Sequence, residues 1–265
     1  MIKVDGMEIK AGHYPDNTLL VKAPTLRGVP DGCVNFTWYY ENDAELFTLI
    51  CLKKHYSYKK TSYLWMPYCP HARMDRVKDK NDVFTLKYFA EVINSLNFTQ
   101  VNIYDPHSSV CTALIDNVRV LEPTPFIDQT LFELNSNNND FMVFYPDEGA
   151  MKRYSGMFQI PYAFGVKKRD WATGQILGLD VMGNVEGIAG KRVLIIDDIC
   201  SKGGTFYHSA KKLRELGAKE VYLYITHCEN TIFEGELLKT DLINKIYTTN
   251  SIFTKEHEKI EVFEL

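Results

Sequence analysis

From residue 41 onward, apolar positions alternate between stripes at helical spacing and short continuous runs. ENDAELFTLICLKKHYSYKK carries apolar residues at 44, 47, 50, 51 and 52, which predicts a helix. Asn42 or Asp43 suits its N-cap, and the lysines suit its C-terminal end. SYLWMPY (62–68) predicts a buried strand, VFTLKYFAEVINSLN (83–97) a helix, and VNIYDPH (101–107) a strand running into a loop. Strand, helix, strand in that order implies a right-handed crossover and a parallel sheet. The second half repeats the pattern. FIDQTLFELN predicts a helix, NDFMVFYPDEGA a strand and loop, MKRYSGMFQI a helix and YAFGVKK a strand. KRVLIIDD (191–198) is a continuous apolar run of the kind buried on both faces. CSKGGTFYHSAKKLRELGA reads as a loop feeding a helix that stops at Gly217. EVYLYITHC is the next parallel strand, and KIYTTNS and IEVFEL close the chain. Residues 1–40 read as short strands, TLLVKAP and VPDGCVNFTWYY, broken by Gly and Pro. FTWYY (36–40) reads as half-buried strand rather than a base-stacking surface. The expected fold class is α/β, in two domains spanning 1–124 and 125–265, each a mainly parallel sheet flanked by helices.

Composition narrows the functional classes. The 265 residues are 45% hydrophobic and carry a formal net charge of −4. A chain of this apolar content is not globally disordered. The lack of excess positive charge disfavours a general nucleic-acid partner. No apolar run approaches the about 20 residues a membrane span needs. The opening MIKVDGMEIKAGHYPDN has no apolar core of a secretory leader. Six cysteines, at 33, 51, 69, 111, 200 and 228, form no CxxC pair, so free thiols and a cytoplasmic location are expected.

Chemistry concentrates in VLIIDDICSKGGTFYHSAKKL (193–213). A buried strand ends in two adjacent carboxylates, Asp197 and Asp198. A loop of small residues, Ser201, Lys202, Gly203, Gly204 and Thr205, then opens a helix. Glycines permit close backbone approach and positive φ, and the free N–H groups of a helix start attract phosphate. Carboxylates just before such a cradle accept hydrogen bonds from sugar hydroxyls. Alone, a strand–Gly–helix junction serves equally well to turn a corner. The paired acids favour a sugar-phosphate ligand, because open α/β sheets bind at their strand C-terminal ends. No GxxxxGK[ST] loop is present.

This segment resembles the phosphoribosyl-pyrophosphate loop of type I phosphoribosyltransferase folds, and the chain from about 41 to 255 resembles the ribose-phosphate pyrophosphokinase family. MPYCPHARMDR (66–76), DPHSS (105–109), YPDEGAMKR (145–153) and VKKRD (166–170) are similar to that family's motifs in order and spacing. The resemblance implies two phosphoribosyltransferase-like domains with the active site in the cleft between them. It implies Mg²⁺-dependent transfer of the β,γ-diphosphate of ATP to the anomeric hydroxyl of a 5-phosphorylated ribose, with AMP released. It assigns Lys167 and Arg169, just after a strand, to the catalytic loop, and His107 and Asp147 to the metal. It assigns Arg73, Met74, Asp75 and His107 to ATP. Asp197 and Asp198 fall on the ribose diol, and 201–205 on the 5-phosphate. A homodimer or larger homo-oligomer is expected, with no nucleic-acid or membrane partner.

Departures bear on the substrate. The family's phosphate loop reads D-T-x-G-T where this chain has Ser201–Thr205, so an acid is lost and a lysine gained. That change favours a more anionic acceptor, and ADP-ribose stands beside ribose 5-phosphate as an expected one. VPDGC (29–33) stands where the family has an FSDGE-like segment, Met74 replaces a usual Gln, and Asn81 a usual Arg. The chain thus reads as a trimmed member. A phosphoribosyltransferase and a non-catalytic regulatory homologue remain the alternatives.

Overall fold

The computed structural model describes residues 1–26, 32–134, 140–169 and 176–265, and the side chains of these except at 167–169 and 176–178. The chain separates into two units, Met1–Glu122 and Pro123–Leu265.

In the first unit, β1 (Ile2–Val4), β2 (Met7–Ile9), β5 (Cys33–Trp38), β6 (Thr61–Met66), β7 (Gln100–Tyr104) and β8 (Val118–Leu121) form one sheet, ordered β2-β1-β5-β6-β7-β8. Strands β5 to β8 run parallel, and β1 is antiparallel to both β2 and β5. A small hairpin pairs β3 (Gly12–His13) with β4 (Leu19–Leu20). Helices α1 (Ala44–His55), α2 (Thr85–Ser95) and α3 (Ser109–Leu114) complete the unit. Its core gathers Val34, Phe36 and Trp38 of β5, Leu64 and Met66 of β6, and Leu86, Phe89 and Ile93 of α2. The strand is half-buried as expected: Phe36 and Trp38 lie fully in the core, and Thr37 between them is only partly covered.

The stripe expected on α1 is rotated. Thr48, Leu49 and Leu52 face the core, while Phe47 remains 59% exposed. Leu49 and Leu52, seven and four residues before Tyr56, share a face with that buried ring, and tertiary packing selects this face over the one carrying Phe47. Asp43 occupies the N-cap position without a side-chain cap bond, and the side-chain oxygen of Asn42 before it accepts from the N–H of Ala44 at 3.1 Å.

The second unit contains α4 (Thr124–Glu133), β9 (Phe141–Tyr145), α5 (Glu148–Tyr154), β10 (Tyr162–Arg169), β11 (Ile176–Gly183), β12 (Arg192–Cys200), α6 (Gly204–Glu215), β13 (Glu220–Cys228), β14 (Lys245–Thr249) and β15 (Ile260–Phe263). The sheet order is β11-β10-β9-β12-β13-β14-β15, all parallel except β11. Two apolar clusters flank it. Val193 and Ile195 pack with Phe206, Ala210 and Leu213 of α6. Leu194 and Ile196 pack with Ile127 and Leu131 of α4 and with Ala150 and Tyr154 of α5. All four strand residues are fully buried, each worth about 1.5–3 kcal/mol of transfer free energy. Both-sided burial is the reason the run is unbroken.

Three boundaries move. β12 continues past the acids to Cys200, because Ile199 and Cys200 pair with His227 and Cys228 of β13. The helix expected over MKRYSGMFQI begins earlier, at Glu148, and ends at Tyr154. The strand over YAFGVKK extends to Arg169 through antiparallel pairing with β11, an element the periodicity did not predict. All six cysteines are free thiols. Among the described residues, no helix is long and apolar enough to cross a membrane.

Candidate functional site

The C-terminal ends of β9 and β12 bring three of the expected acids into one neighbourhood of the second unit. Pro146 ends β9, and Asp147 caps α5, its Oδ1 accepting from the N–H groups of Gly149 at 3.0 Å and Ala150 at 3.1 Å. One turn further on, α5 presents Arg153, whose Nη1 donates to Asp198 Oδ2 at 2.7 Å. The Asp198 side chain is only 6% exposed, so this ion pair is mostly withdrawn from water. Asp198 Oδ1 accepts from the N–H of Ile199 at 2.9 Å, and Asp197 Oδ1 from the N–H of Asp198 at 3.0 Å. Strand alternation gives the two acids to opposite faces. Asp197 follows Ile195 toward α6, and Asp198 follows Ile196 toward α5. Burial pushes the Asp197 carboxyl well above the usual carboxylate range. The neighbouring Asp198 adds to that rise, and Asp147 contributes a smaller push.

Beyond Cys200 the chain turns through the expected phosphate loop. Gly203 adopts φ +78°, the left-handed conformation glycine tolerates, and a Cβ there would lie 2.9 Å from Leu237. A Cβ on Gly204 would meet nothing within 4 Å, so that glycine leaves open space at the first turn of α6. The N-cap residue, Gly203, has no side chain with which to cap this helix start. Its first N–H groups have no intrahelical acceptor, and the helix dipole adds positive potential there. Ser201 and Thr205 are half-buried beside the turn. Lys202 does not stand as an added free charge: its Nζ pairs with Glu234 Oε2 at 3.0 Å, both side chains being well exposed.

Lys167 and Arg169 lie on β10 itself, paired across the hairpin with Leu179 and Ile176, and not in a loop after the strand. The register shifts between Lys168 and Arg169. Asp170, the last residue of the VKKRD motif, lies outside the described residues, as do 29–31 of VPDGC.

The first unit assembles the remaining residues. Arg73 is exposed and Met74 and Asp75 are half-buried in the segment after β6, while His107 follows the adjacent parallel strand β7. Desolvation pushes the Asp75 carboxyl upward. Hydrogen bonds from Ser108 and Arg76, with the charges of Arg76 and His107, outweigh it and hold the group below its usual range. The Arg76 Nε–Asp75 Oδ1 distance is 3.0 Å. Ser108 also caps α3, accepting from the N–H of Val110 at 3.1 Å. His107 and Asp147, expected to share a metal, belong to different units. Among the described residues, no three His, Cys, Asp or Glu side chains form a group able to hold a metal ion.

Three contributors escaped sequence reasoning. Arg153 and Glu234 act through partners 45 and 32 positions away, and no local pattern signals such a pairing. Arg153 stood in a quoted motif, where its basic character beside Asp147 was the available clue. Ser108 follows His107 as an N-cap residue type and was readable as such.

Comparison with known proteins now bears on this geometry. The profile of the phosphoribosyl synthetase-associated domain matches residues 174–264. The chain is 30% identical over 227 residues to ribose-phosphate pyrophosphokinase from Bacillus subtilis (strain 168), covering 84% of this chain and 69% of that protein. It is 28% identical over 271 residues to the enzyme of that name from Pyrococcus abyssi, covering 97% of this chain and 87% of that protein. The crystal structure of phosphoribosylpyrophosphate synthetase from Mycobacterium smegmatis superposes with a TM-score of 0.78 at 20% identity, covering 97% of this chain and 86% of that one. That structure establishes the shared fold: α/β, with mainly parallel sheets of the phosphoribosyltransferase type. On identity and coverage together, this chain belongs to the ribose-phosphate pyrophosphokinase family, a family of diphosphotransferases.

Proposed function

We propose that this chain transfers the β,γ-diphosphate of ATP to the anomeric hydroxyl of a 5-phosphorylated ribose. The observation that carries the reading is the glycine-opened start of α6 closely following the Asp197–Asp198 pair, in a chain of this family. The 5-phosphate rests on the N–H groups of 201–205, and Asp197 and Asp198 accept from the ribose hydroxyls. The anomeric oxygen attacks the β-phosphorus in line, the bond from that phosphorus to the bridging oxygen of AMP breaks, and AMP leaves. Positioning and charge neutralisation dominate such a step. Lys167 and Arg169 supply positive charge to the transferring diphosphate. Arg73, Met74, Asp75 and His107 form the nucleotide side.

Magnesium fits the donors present. Mg²⁺ takes one or two carboxylates and otherwise waters and phosphates, a demand that Asp147 with Asp197 or Asp198 meets in hard oxygen. Burial first, and then the charges of Asp198 and Asp147, raise the Asp197 carboxyl, and a bound cation would offset that charge. His107, a nitrogen donor, suits a water-mediated role. When bound, the ion offsets charge on the diphosphate.

Ribose 5-phosphate is the acceptor to which the family kinship points. ADP-ribose is the second reading, favoured by the open space at Gly204, whereas the Lys202–Glu234 pair weakens the case from loop charge. A paired assay separates them. Protein, ATP and Mg²⁺ are incubated with each sugar, AMP is quantified, and products are identified by mass. AMP with phosphoribosyl pyrophosphate alone selects the first, and AMP with diphosphorylated ADP-ribose selects the second. AMP in neither overturns the proposal in favour of a non-catalytic homologue. A phosphoribosyltransferase would instead consume phosphoribosyl pyrophosphate with a base and release no AMP from ATP.

A further inference from the structure

Between β13 and β14 the chain makes two 3-10 turns, Asn230–Glu234 and Leu237–Lys239. Their far side is fixed. Ile232 and Leu237 are buried in the α6-side core, and Asn230 exchanges hydrogen bonds with Thr254 at 2.9 and 3.2 Å. The segment also meets the phosphate loop at three points, residues 234, 235 and 237. Leu237 lies under Gly203, where any Cβ would intrude to 2.9 Å. Glu234 pairs with Lys202 at 3.0 Å. A Cβ on Gly235 would run into the Lys202 carbonyl oxygen and lie 2.8 Å from its carbon. Gly235 has φ −89° and ψ −175°, extended backbone open to any residue, so close approach alone requires glycine there. The obstacle is main chain, which cannot swing aside as a side chain does.

We propose that this segment is the seat of the phosphate loop, and that Gly235 and Leu237 are positioning residues setting acceptor affinity, with Glu234 acting as counter-charge to Lys202. The inference rests on the proposed function, since it takes 201–205 as the anion cradle. A side chain at 235 moves the Lys202 carbonyl and with it the N–H groups that face the phosphate. Misplacement of about 1 Å is enough to cost two orders of magnitude in a positioned reaction. The exposed Lys202–Glu234 pair adds little to stability, so its effect is on ligand charge.

The test is calorimetric binding to the whole chain, reading ribose 5-phosphate, ADP-ribose and ATP separately, with thermal unfolding alongside. Gly235→Ala is expected to weaken both sugar phosphates tenfold or more while ATP affinity stays within twofold. A purely structural role would lower the unfolding temperature and move all three ligands alike, and that result overturns the proposal, as does unchanged sugar binding. Glu234→Gln adds no bulk and serves even where Gly235→Ala fails to fold. It should tighten the sugar phosphates threefold or more by releasing Lys202, with no change in unfolding temperature, and unchanged affinity removes Glu234 from the seat. Inorganic phosphate separates the two readings. If wild type binds phosphate but neither sugar, the functional reading fails and the seat is judged on phosphate by the same ratios; if it binds none of them, both fall.

Discussion

Arg153 is the residue whose removal should reveal how the acidic pair is held. It reaches from α5 to Asp198 at 2.7 Å, and the acid it serves is nearly sealed from water. Arg153→Met keeps most of the side-chain volume while removing the guanidinium, whose carbon lies 5.7 Å from the centre of the Tyr154 ring. What disappears is the counter-charge. Breaking one partner of a buried pair costs about 3–5 kcal/mol, because the other charge stays behind. Here that cost has a ceiling. The stranded carboxylate can take up a proton, and at pH 7, about three units above an ordinary carboxyl value, this costs ~4 kcal/mol. The loss at pH 7 should therefore be about 3–4 kcal/mol, or roughly 10 °C of unfolding temperature in a domain of this size. At pH 4.5 protonation is nearly free, and the loss should shrink to about 1 kcal/mol. Thermal and urea unfolding at both pH values, with Asp198→Asn alone and combined, complete a double-mutant cycle. A pH-independent loss, or one below about 1 kcal/mol at pH 7, would refute the reasoning.

Asp197 gives the opposite sign. Its folded value is raised above 3.8, so ionising it opposes folding as pH rises through and above that value. Asp197→Asn should raise the unfolding temperature at pH 7 without ligand, and the gain should vanish below about pH 3.8, where folded and unfolded chains both carry the proton; a gain that persists there points to a different cause. Asp147 combines two duties. Asp147→Ala should lose about 0.5–2 kcal/mol with the helix cap, whereas Asp147→Ser keeps it, and both should raise the Mg²⁺ concentration needed for turnover. Equal stability losses from the two would exclude the cap. Lys167→Ala or Arg169→Ala should lower kcat by roughly 10³-fold or more, read by AMP release, if these residues neutralise the diphosphate; near-wild-type rates would remove them from the reaction.

The parallel cores were legible because burial on both faces leaves an unbroken apolar run, as at 193–196, and the helices between them carry stripes. Less visible were elements whose existence depends on a neighbour. β11 is interrupted by glycine and becomes a strand through pairing with β10. Cys200 is strand because β13 continues alongside it. The face of α1 was misread because its apolar residues exceed what one core can cover, and Phe47 is the surplus. At the site, the acids and the glycine loop are local and could be seen. The ion pair that cancels Lys202 comes from a separate turn, and it reverses the weight given to that lysine's charge.

A strand has only two sides, so two consecutive acids at its end are held from different layers even where they share a ligand. Asp198 leans to the layer that holds Arg153, and Asp197 to the layer that begins with the glycine loop. Their order along the chain therefore acts as an address. Inserting one residue between Ile196 and Asp197 would leave the composition nearly intact, yet it would exchange the layers of the two carboxylates. The Arg153 layer would then receive Asp197 in place of Asp198, one position further along the strand. In this fold, the spacing between strand and loop tolerates less change than the identity of most surface residues around it.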